Sequence, residues 1–384
     1  MKRHFKLMVV FLVTLPLLTS CVQTQYIETL GLSTAVGYDI TGDQLIHGTI
    51  VIHQFDPQQS EISKVITADA HTSKGIRQKL NLKTSKSLVS GQLRVSIYGK
   101  ELAEKGVSYL GDTLSRDAAI GNMLFLAIAD TKANDILSFK SEEIQGNMGT
   151  YLYNLIKQNI KMEIINDPTL HTFLTNLLDV GVDPMLPILS IDKDEIRISS
   201  LGVFVDDHLV GELPIEDLFF FNILMDNYQS GTLELKLNQD NLKKYFLSPL
   251  IDPETQVESE EELYVTINNI QTQNKIKIGD QTTPTFDIDL KLKMEIIEMT
   301  QDMDLGDPKT IEALTKEINK QIKKKVKKSI SDLQNLNSDV VGFGRYYRAK
   351  VDSSLTLNEW RKIYQHTQIN VEVNGEIART GVID

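Results

Sequence analysis

The chain has 384 residues, with 41% apolar and 24% charged residues, an ordinary composition for a globular protein of two or three domains. Its formal net charge is −12, which argues against a dedicated nucleic-acid binder because such proteins present a basic face. The single cysteine excludes a disulfide within this sequence and a zinc site built from several cysteines.

Residues 1–20 predict a signal peptide that is not part of the folded body. A basic head with Lys2, Arg3 and Lys6 precedes a mostly apolar run over 7–18. That run is shorter than the roughly 20 residues needed to span a membrane, but it suits the apolar region of a secretory signal. It ends in Leu18-Thr19-Ser20 followed by Cys21, which resembles a bacterial lipobox. The alternative is an ordinary signal peptide with an incidental cysteine.

The lipobox implies that the Cys21 thiol carries a diacylglycerol and that Cys21, acylated on its amino group, is the first mature residue. Loss of the three basic residues of the signal lowers the net charge from −12 to −15. Such an acidic body is not attracted to an anionic membrane as a whole. We therefore expect acyl chains to supply the anchor, at about 0.8 kcal/mol per buried methylene.

Strand and helix patterns alternate through the first half of the mature chain. Apolar alternation and one buried apolar run predict strands over 27–36, 45–55, 93–99 and 123–129, with a turn over 38–43. Helical spacing predicts helices over 72–82, 101–114 with a break at Gly106, 131–137 and 150–161. A further helix is predicted to start at Asp167-Pro168 and to end at Gly181.

Hairpins dominate the next part of the sequence. Strands are predicted over 195–205, 208–213, 232–237, 263–270, 275–278 and 286–298. A long helix with one apolar stripe starts at Asp307-Pro308, and two shorter helices near Val340 and Trp360 precede a final strand over 368–378.

These patterns predict an α+β fold, the secreted body of a lipoprotein with mixed, largely antiparallel sheets flanked by helices. Three domains are expected after the signal peptide. They are an N-terminal α+β region over 21–190, a hairpin-rich middle region over 191–300, and a C-terminal helical region with a final strand over 301–384.

The sequence lacks the common enzyme motifs. It has no pair of histidines on one helical turn, no phosphate-binding glycine loop with Lys and Ser or Thr, and no serine between two glycines of a nucleophile elbow. Gly342-Phe343-Gly344 lacks a third glycine and is interpreted as a loop or helix start rather than a nucleotide site. His47 and His53 would lie about 20 Å apart on one strand face, too far to share a metal ion. We therefore predict no catalytic, cofactor-binding or metal site.

The long helix carries a basic run opposite its apolar stripe, namely Lys320, Lys323, Lys324, Lys325, Lys327 and Lys328. One interpretation is a solvated helix face that covers a core. The other is contact with anionic lipid headgroups or an acidic partner.

The segment from Leu218 to Met225 is apolar almost all round if it is helical, with Leu218, Phe219, Phe220 and Phe221 in succession. A single buried stripe does not account for it. The segment is either sandwiched inside the body or exposes a patch that contacts a membrane partner.

Four stretches of the chain resemble the lipoprotein C subunits of bacterial spore germinant receptors, the Ger(x)C family. They are Cys21 followed by 27–31, the run 87–103 with Leu114-Ser115-Arg116-Asp117, the run 202–211, and 339–344 with Trp360 and the C-terminal 371–381. Together they span the chain in the family's order.

The resemblance implies a non-enzymatic subunit without a cofactor. It implies two integral membrane partners, an A-type and a B-type subunit, in a complex that senses nutrients and triggers germination. The expected location is the outer face of the cell membrane or of the spore inner membrane, through the lipid anchor. The alternative is a solute-binding lipoprotein of a transporter, which should form two similar lobes with parallel sheets.

Overall fold

The computed structural model describes residues 26–42, 45–53, 63–142, 144, 146–225, 228, 230–247, 262–279 and 284–379. Its strands are β1 (Leu30–Thr41), β2 (Leu45–His53), β3 (Ser63–Ala70), β4 (Ser87–Val89), β5 (Val95–Gly99), β6 (Phe125–Ala129), β7 (Met185–Asp192), β8 (Glu195–Val205), β9 (His208–Pro214), β10 (Gly231–Leu237), β11 (Leu263–Ile278), β12 (Thr285–Met299) and β13 (Gln368–Arg379). Its helices are α1 (Ser73–Asn81), α2 (Lys100–Lys105), α3 (Ser108–Ser115), α4 (Ala133–Ser138), α5 (Met148–Lys161), α6 (Leu170–Leu178), α7 (Leu218–Asn222), α8 (Pro308–Asn335), α9 (Phe343–Lys350) and α10 (Leu357–Tyr364).

The first sheet has nine strands in the order β3-β2-β1-β5-β6-β7-β8-β9, with β4 paired to β1. Strands β1, β5, β6 and β7 are parallel to one another, and the strands on either side of this centre pair antiparallel. Every residue of β5 and β6 is buried because helices cover both faces of the sheet.

The second sheet has four strands in the order β10-β11-β12-β13. The first three form antiparallel hairpins, while β13 pairs parallel with β12 after a crossover through α8, α9 and α10. Helix α8 begins at Pro308 with the Asp307 side chain as its cap, and its apolar stripe packs on this sheet. The α+β class with mixed, largely antiparallel sheets is thus confirmed.

Several local predictions differ from the structure. Strand β1 continues through Thr41 because Tyr38 and Asp39 pair with β2, so the predicted turn over 38–43 is shorter. Strand β7 was not predicted because Pro187 interrupts it, although its pairing with β8 tolerates that proline. Strand β11 is one strand with two irregularities rather than two strands.

The nine-stranded sheet includes strands from both sides of residue 190. The division of the chain into three domains stays a prediction. In the described part of the chain, no helix is both long enough and apolar enough to cross a membrane.

Helix α7 lies between the two sheets, so its burial can be tested by stability. Phe221 is completely buried, and we expect Phe221→Ala to lower the free energy of unfolding by about 3–5 kcal/mol through loss of burial and a residual cavity. Denaturant unfolding of the purified protein measures this. Ile297→Ala at an exposed position of β12 is the control, with an expected change within about 0.5 kcal/mol. A Phe221→Ala loss as small as the control's would contradict the placement of α7 in the core.

Candidate functional site

Cys21, the one residue predicted to carry a modification, lies outside the described residues. The described chain begins at Tyr26 and enters β1 through a short 3-10 helix, Ile27–Thr29. Lipidation of Cys21 therefore stays a prediction.

The segment with Leu218, Phe219, Phe220 and Phe221 is buried, which removes the basis for its predicted contact with a membrane subunit. None of these side chains is more than 8% exposed. Leu218 and Phe221 pack into the core under the nine-stranded sheet, whereas Phe219 and Phe220 pack into the core of the four-stranded sheet. The helix is apolar all round because it fills two cores at once, which is the other of the two interpretations.

The basic run on α8 is mostly neutralised by carboxylates. Lys325 and Lys328 lie 3.1 and 3.5 Å from the carboxylate of Asp217, and Lys323 lies 2.8 Å from that of Glu372. Lys320 pairs with Glu317 at 3.4 Å on the same helix. The arrangement favours a solvated helix face that covers a core.

The two strand histidines do not form a common site. His47 contacts Asp69 on the neighbouring strand at 2.6 Å, and His53 lies at the other end of β2. Among the residues the structure describes, no group of three or more His, Cys, Asp or Glu side chains could hold a metal ion.

A buried polar cluster joins the C-terminal helices to the nine-stranded sheet. It consists of Asp183, Asp339, Trp360 and Arg361 and is called here the junction cluster. The carboxylate of Asp339 accepts hydrogen bonds from the backbone N–H groups of Gly342, Phe343 and Gly344 at 2.8–3.0 Å, and from the Trp360 indole N–H at 2.9 Å. It thereby caps α9 and fixes α10 beside it.

Asp183, just before β7, ties Asp339 to the sheet. Its carboxylate accepts the backbone N–H of Asp339 at 2.7 Å, while its own N–H donates to the Asp339 carbonyl at 2.9 Å. Arg361 donates two hydrogen bonds to the same carboxylate at 2.5 and 2.6 Å, a bidentate pair with good geometry. Arg361 also donates to the carbonyl of Asn337 at 2.7 Å.

The segments at this cluster approach so closely that glycine is required. A Cβ atom at Gly344 would lie 2.4 Å from the Cα of Gly181. Gly342 has a φ of +87° and stands at the helix cap, so it adopts a backbone conformation that other residues reach only with strain. Gly342-Phe343-Gly344 is thus a helix start, as interpreted from the sequence.

The surroundings of the Asp339 carboxyl in the junction cluster act on its pKa in opposite directions. The pKa of the Asp339 carboxyl is raised to about 7, chiefly by burial and also by the nearby Asp183 carboxylate. The N–H groups of Gly344, Phe343 and Gly342 act in the opposite direction because they favour the charged form, and Arg361 pairs with Asp183. The cluster therefore joins chain segments, and every hydrogen bond described above serves that purpose.

A cleft of about 460 Å³ opens beside the junction cluster. Its walls come from the residues after α5, from α6, from the residues after α7, and from the start of α9 with the segment before it. They include Glu163, Met225, Val341 and Arg345. Arg345 is held at the rim by Asp179 at 2.7 Å and Asn176 at 2.9 Å. The volume suits a small molecule or a few side chains of a partner.

Two family models match consecutive parts of the chain. Residues 23–191 match the spore germination protein N-terminal domain, and residues 199–381 match the spore germination B3/GerAC-like C-terminal domain. The chain belongs to this family. The family expected from the four stretches of sequence is thereby confirmed.

Full-length relatives agree with this assignment. The spore germination protein GerQC of Bacillus cereus is 26% identical over 377 residues, which cover 98% of this chain and 99% of the relative. The crystal structure of the GerBC protein has a TM-score of 0.56 at 15% identity and covers 89% of this chain and 96% of its own. At that identity the second likeness shows the fold alone.

Sequence reasoning found half of the junction cluster. Asp339, the two glycines and Trp360 belong to the fourth stretch that carries the family resemblance. Asp183 and Arg361 were missed, because Asp183 lies 156 residues from Asp339 in sequence and no local pattern marks the pair.

Asp339 offers a direct test of the junction cluster. At about pH 8 we expect Asp339→Asn to lower the free energy of unfolding by about 2–5 kcal/mol, since an amide has one acceptor oxygen and leaves buried N–H donors unpaired. Trp360→Phe removes a single donor and the five-membered ring of a buried indole, so the loss of one hydrogen bond and a small cavity are expected together. Denaturant unfolding of both variants makes the comparison. An Asp339→Asn protein as stable as the wild type would show that the carboxylate does not hold the junction.

Proposed function

We propose that this protein is the lipid-anchored, non-enzymatic C-type subunit of a nutrient germinant receptor in the spore inner membrane. It acts with an A-type and a B-type integral membrane subunit and is required for the germination response. The alignment with GerQC over 98% of the chain is the observation that carries the proposal, together with both family domains in order.

The fold supports this proposal over a solute-binding lipoprotein. A transporter's binding protein should have two similar lobes, each built on a parallel sheet. Here one sheet has nine strands and the other has four, and they differ in strand order and in the helices that cover them. The junction cluster also fixes the two parts by buried hydrogen bonds, whereas hinged lobes need a mobile connection.

The proposed anchor is Cys21 with its acyl chains. Its support is the signal-like sequence before it and the position of the folded body, whose described part starts five residues later at Tyr26. Five residues reach at most about 18 Å, so the anchor would hold Tyr26, four residues before β1, near the lipid surface.

Germination of spores without the gene tests the receptor role. We expect the deletion strain to lose dipicolinate release in response to at least one nutrient mixture of a panel. The gene returned in trans should restore it, and equal total dipicolinate in both spore types controls for normal spore formation. Unchanged responses to every nutrient, in a strain without a second copy of the gene family, would contradict the proposal.

The anchor has its own test. We expect Cys21→Ala protein to stay unprocessed or to be released, because no thiol remains for the diacylglycerol. Phase partition in detergent and incorporation of labelled acyl chains measure this. Ser20→Ala keeps a small residue before Cys21 and should behave as the wild type. A Cys21→Ala protein that is processed and partitions with lipoproteins would refute the anchor.

A further inference from the structure

Four charged side chains line the cleft beside the junction cluster, and two of them are committed to the fold. The four are Glu163, Asp167, Asp183 and Arg345. The Asp183 carboxylate accepts two hydrogen bonds from Arg361, and the Glu163 carboxylate accepts the backbone N–H of Ser230 at 3.1 Å. The other two, Asp167 and Arg345, keep capacity to bind a ligand.

The carboxylate of Asp167 carries a negative charge that no cation offsets in the described part of the chain. Its Oδ2 atom accepts hydrogen bonds from the hydroxyls of Thr169 and Thr172 at 3.3 and 3.4 Å. Both of these partners are neutral. Asp167 is exposed, so its Oδ1 atom can accept a hydrogen bond from a ligand.

Arg345 supplies a positive charge near the other end of α6. Its Nε atom donates to Asp179 at 2.7 Å, and its Nη2 atom donates to Asn176 at 2.9 Å. Asp179 also pairs with Arg348 at 3.5 Å, so one carboxylate meets two guanidinium groups and a net positive charge remains. The Arg345 side chain is 43% exposed, and its Nη1 group donates no hydrogen bond to the residues that the structure describes.

Helix α6 sets the distance between these two charges. Thr172, which binds Asp167, and Asn176, which binds Arg345, are four residues apart and therefore lie on one face of the helix. With about 6 Å between their Cβ atoms, the carboxylate and the guanidinium are roughly 12 Å apart. Thr172 and Asn176 both line the cleft, so this polar wall has a negative end and a positive end.

The rest of the cleft wall is mostly apolar. The half-buried side chains of Met185, Met225 and Val341 line it, together with the buried Ile165 and Leu224. Methionine side chains are unbranched and adapt to apolar groups of different shapes. A ligand can therefore bury apolar side chains here while its charged ends meet the polar wall.

We propose that the cleft binds a zwitterionic dipeptide with apolar side chains. The ammonium group of the dipeptide meets Asp167, its carboxylate meets Nη1 of Arg345, and Asn176 lies beside its peptide bond. An extended dipeptide is about 7 Å long, and a charge-assisted hydrogen bond adds about 2.8 Å at each end, which matches the separation of roughly 12 Å. A single amino acid is too short to reach both charges, and a tripeptide is too long.

Calorimetry on the protein alone tests this site apart from the proposed receptor role. Full-length protein is purified from membranes in detergent and titrated with leucyl-leucine. We expect saturable binding of one peptide per chain. The absence of binding at millimolar peptide would overturn the proposal and leave the receptor role standing, because that role is tested in spores.

Blocked peptides test the two charges from the side of the ligand. N-acetyl-leucyl-leucine lacks the ammonium group and leucyl-leucine amide lacks the carboxylate, so we expect each to bind at least about 10-fold more weakly. Glycyl-glycine keeps both charges but lacks the apolar groups, and a similar loss is expected.

Two outcomes with these ligands would contradict the assignment. Blocked peptides that bind as tightly as the free one would show that the cleft takes an internal segment of a partner protein instead. Leucine that binds as tightly as leucyl-leucine would make the site one for a single amino acid.

Substitutions test the same charges from the side of the protein. Asp167→Asn and Arg345→Gln should each weaken the binding of leucyl-leucine at least about 10-fold. Asp194→Asn and Arg348→Gln are the matched controls and should bind as the wild type does. Asp194 is exposed outside the cleft, and Arg348 pairs with Asp179 without lining the cleft. Thermal unfolding checks that every variant is folded.

A double comparison separates lost contact from lost structure. In the Asp167→Asn protein, acetylation of the peptide should have little further effect, because the partner of the ammonium group is already changed. The Arg345→Gln protein should still discriminate against the acetylated peptide. An Asp167→Asn protein that distinguishes the two peptides as strongly as the wild type would place the ammonium group elsewhere and overturn the proposal.

Discussion

The arrangement of the two sheets depends on the hydrogen bonds that the carboxylate of Asp339 accepts. It accepts three backbone N–H groups at the start of α9 and the indole N–H of Trp360 in α10. The backbone N–H of Asp339 also donates to the carboxylate of Asp183, just before β7. One buried side chain thereby couples the crossover that leads to β13 with the start of β7 inside the larger sheet, so loss of its acceptors would loosen both.

Helix α7 provides the apolar counterpart of this polar contact. Its side chains divide between the cores of the two sheets, and Lys325 of α8 lies 5.6 Å from the ring centre of Phe220 while it pairs with Asp217. The basic run and the phenylalanine segment, which the sequence suggested as separate interaction sites, are thus parts of one packed unit. Burial of several large apolar side chains, at about 1.5–3 kcal/mol each, stabilises the packing of the two sheets on α7.

The sequence predicted the elements whose signals are local. The stripe of α8, the break at Gly106 between α2 and α3, and the strands predicted over 195–205 and 208–213 all follow from local periodicity or from a helix-breaking residue. The parallel pairing of β13 with β12 and the Asp183–Arg361 contact were not predictable, because they join residues 83 and 178 positions apart. The burial of Phe219 and Phe221 also depended on tertiary structure. The composition shows that this helix is apolar on all sides, but it does not show which parts of the protein pack against each side.

The parallel centre of the larger sheet relates the start of β1 to the junction cluster. Because β1, β5, β6 and β7 run in the same direction, both β1 and β7 begin toward the same end of the sheet. Their register aligns Met185 of β7 with Ala35 of β1, three strand spacings or roughly 14 Å to the side. The chain therefore enters the larger sheet at the end that also carries Asp183 and the attachment of the C-terminal helices. With the anchor proposed at Cys21, this end is the one tethered to the membrane, so a partner embedded there could reach the contact that holds the two sheets together without extending past the larger sheet.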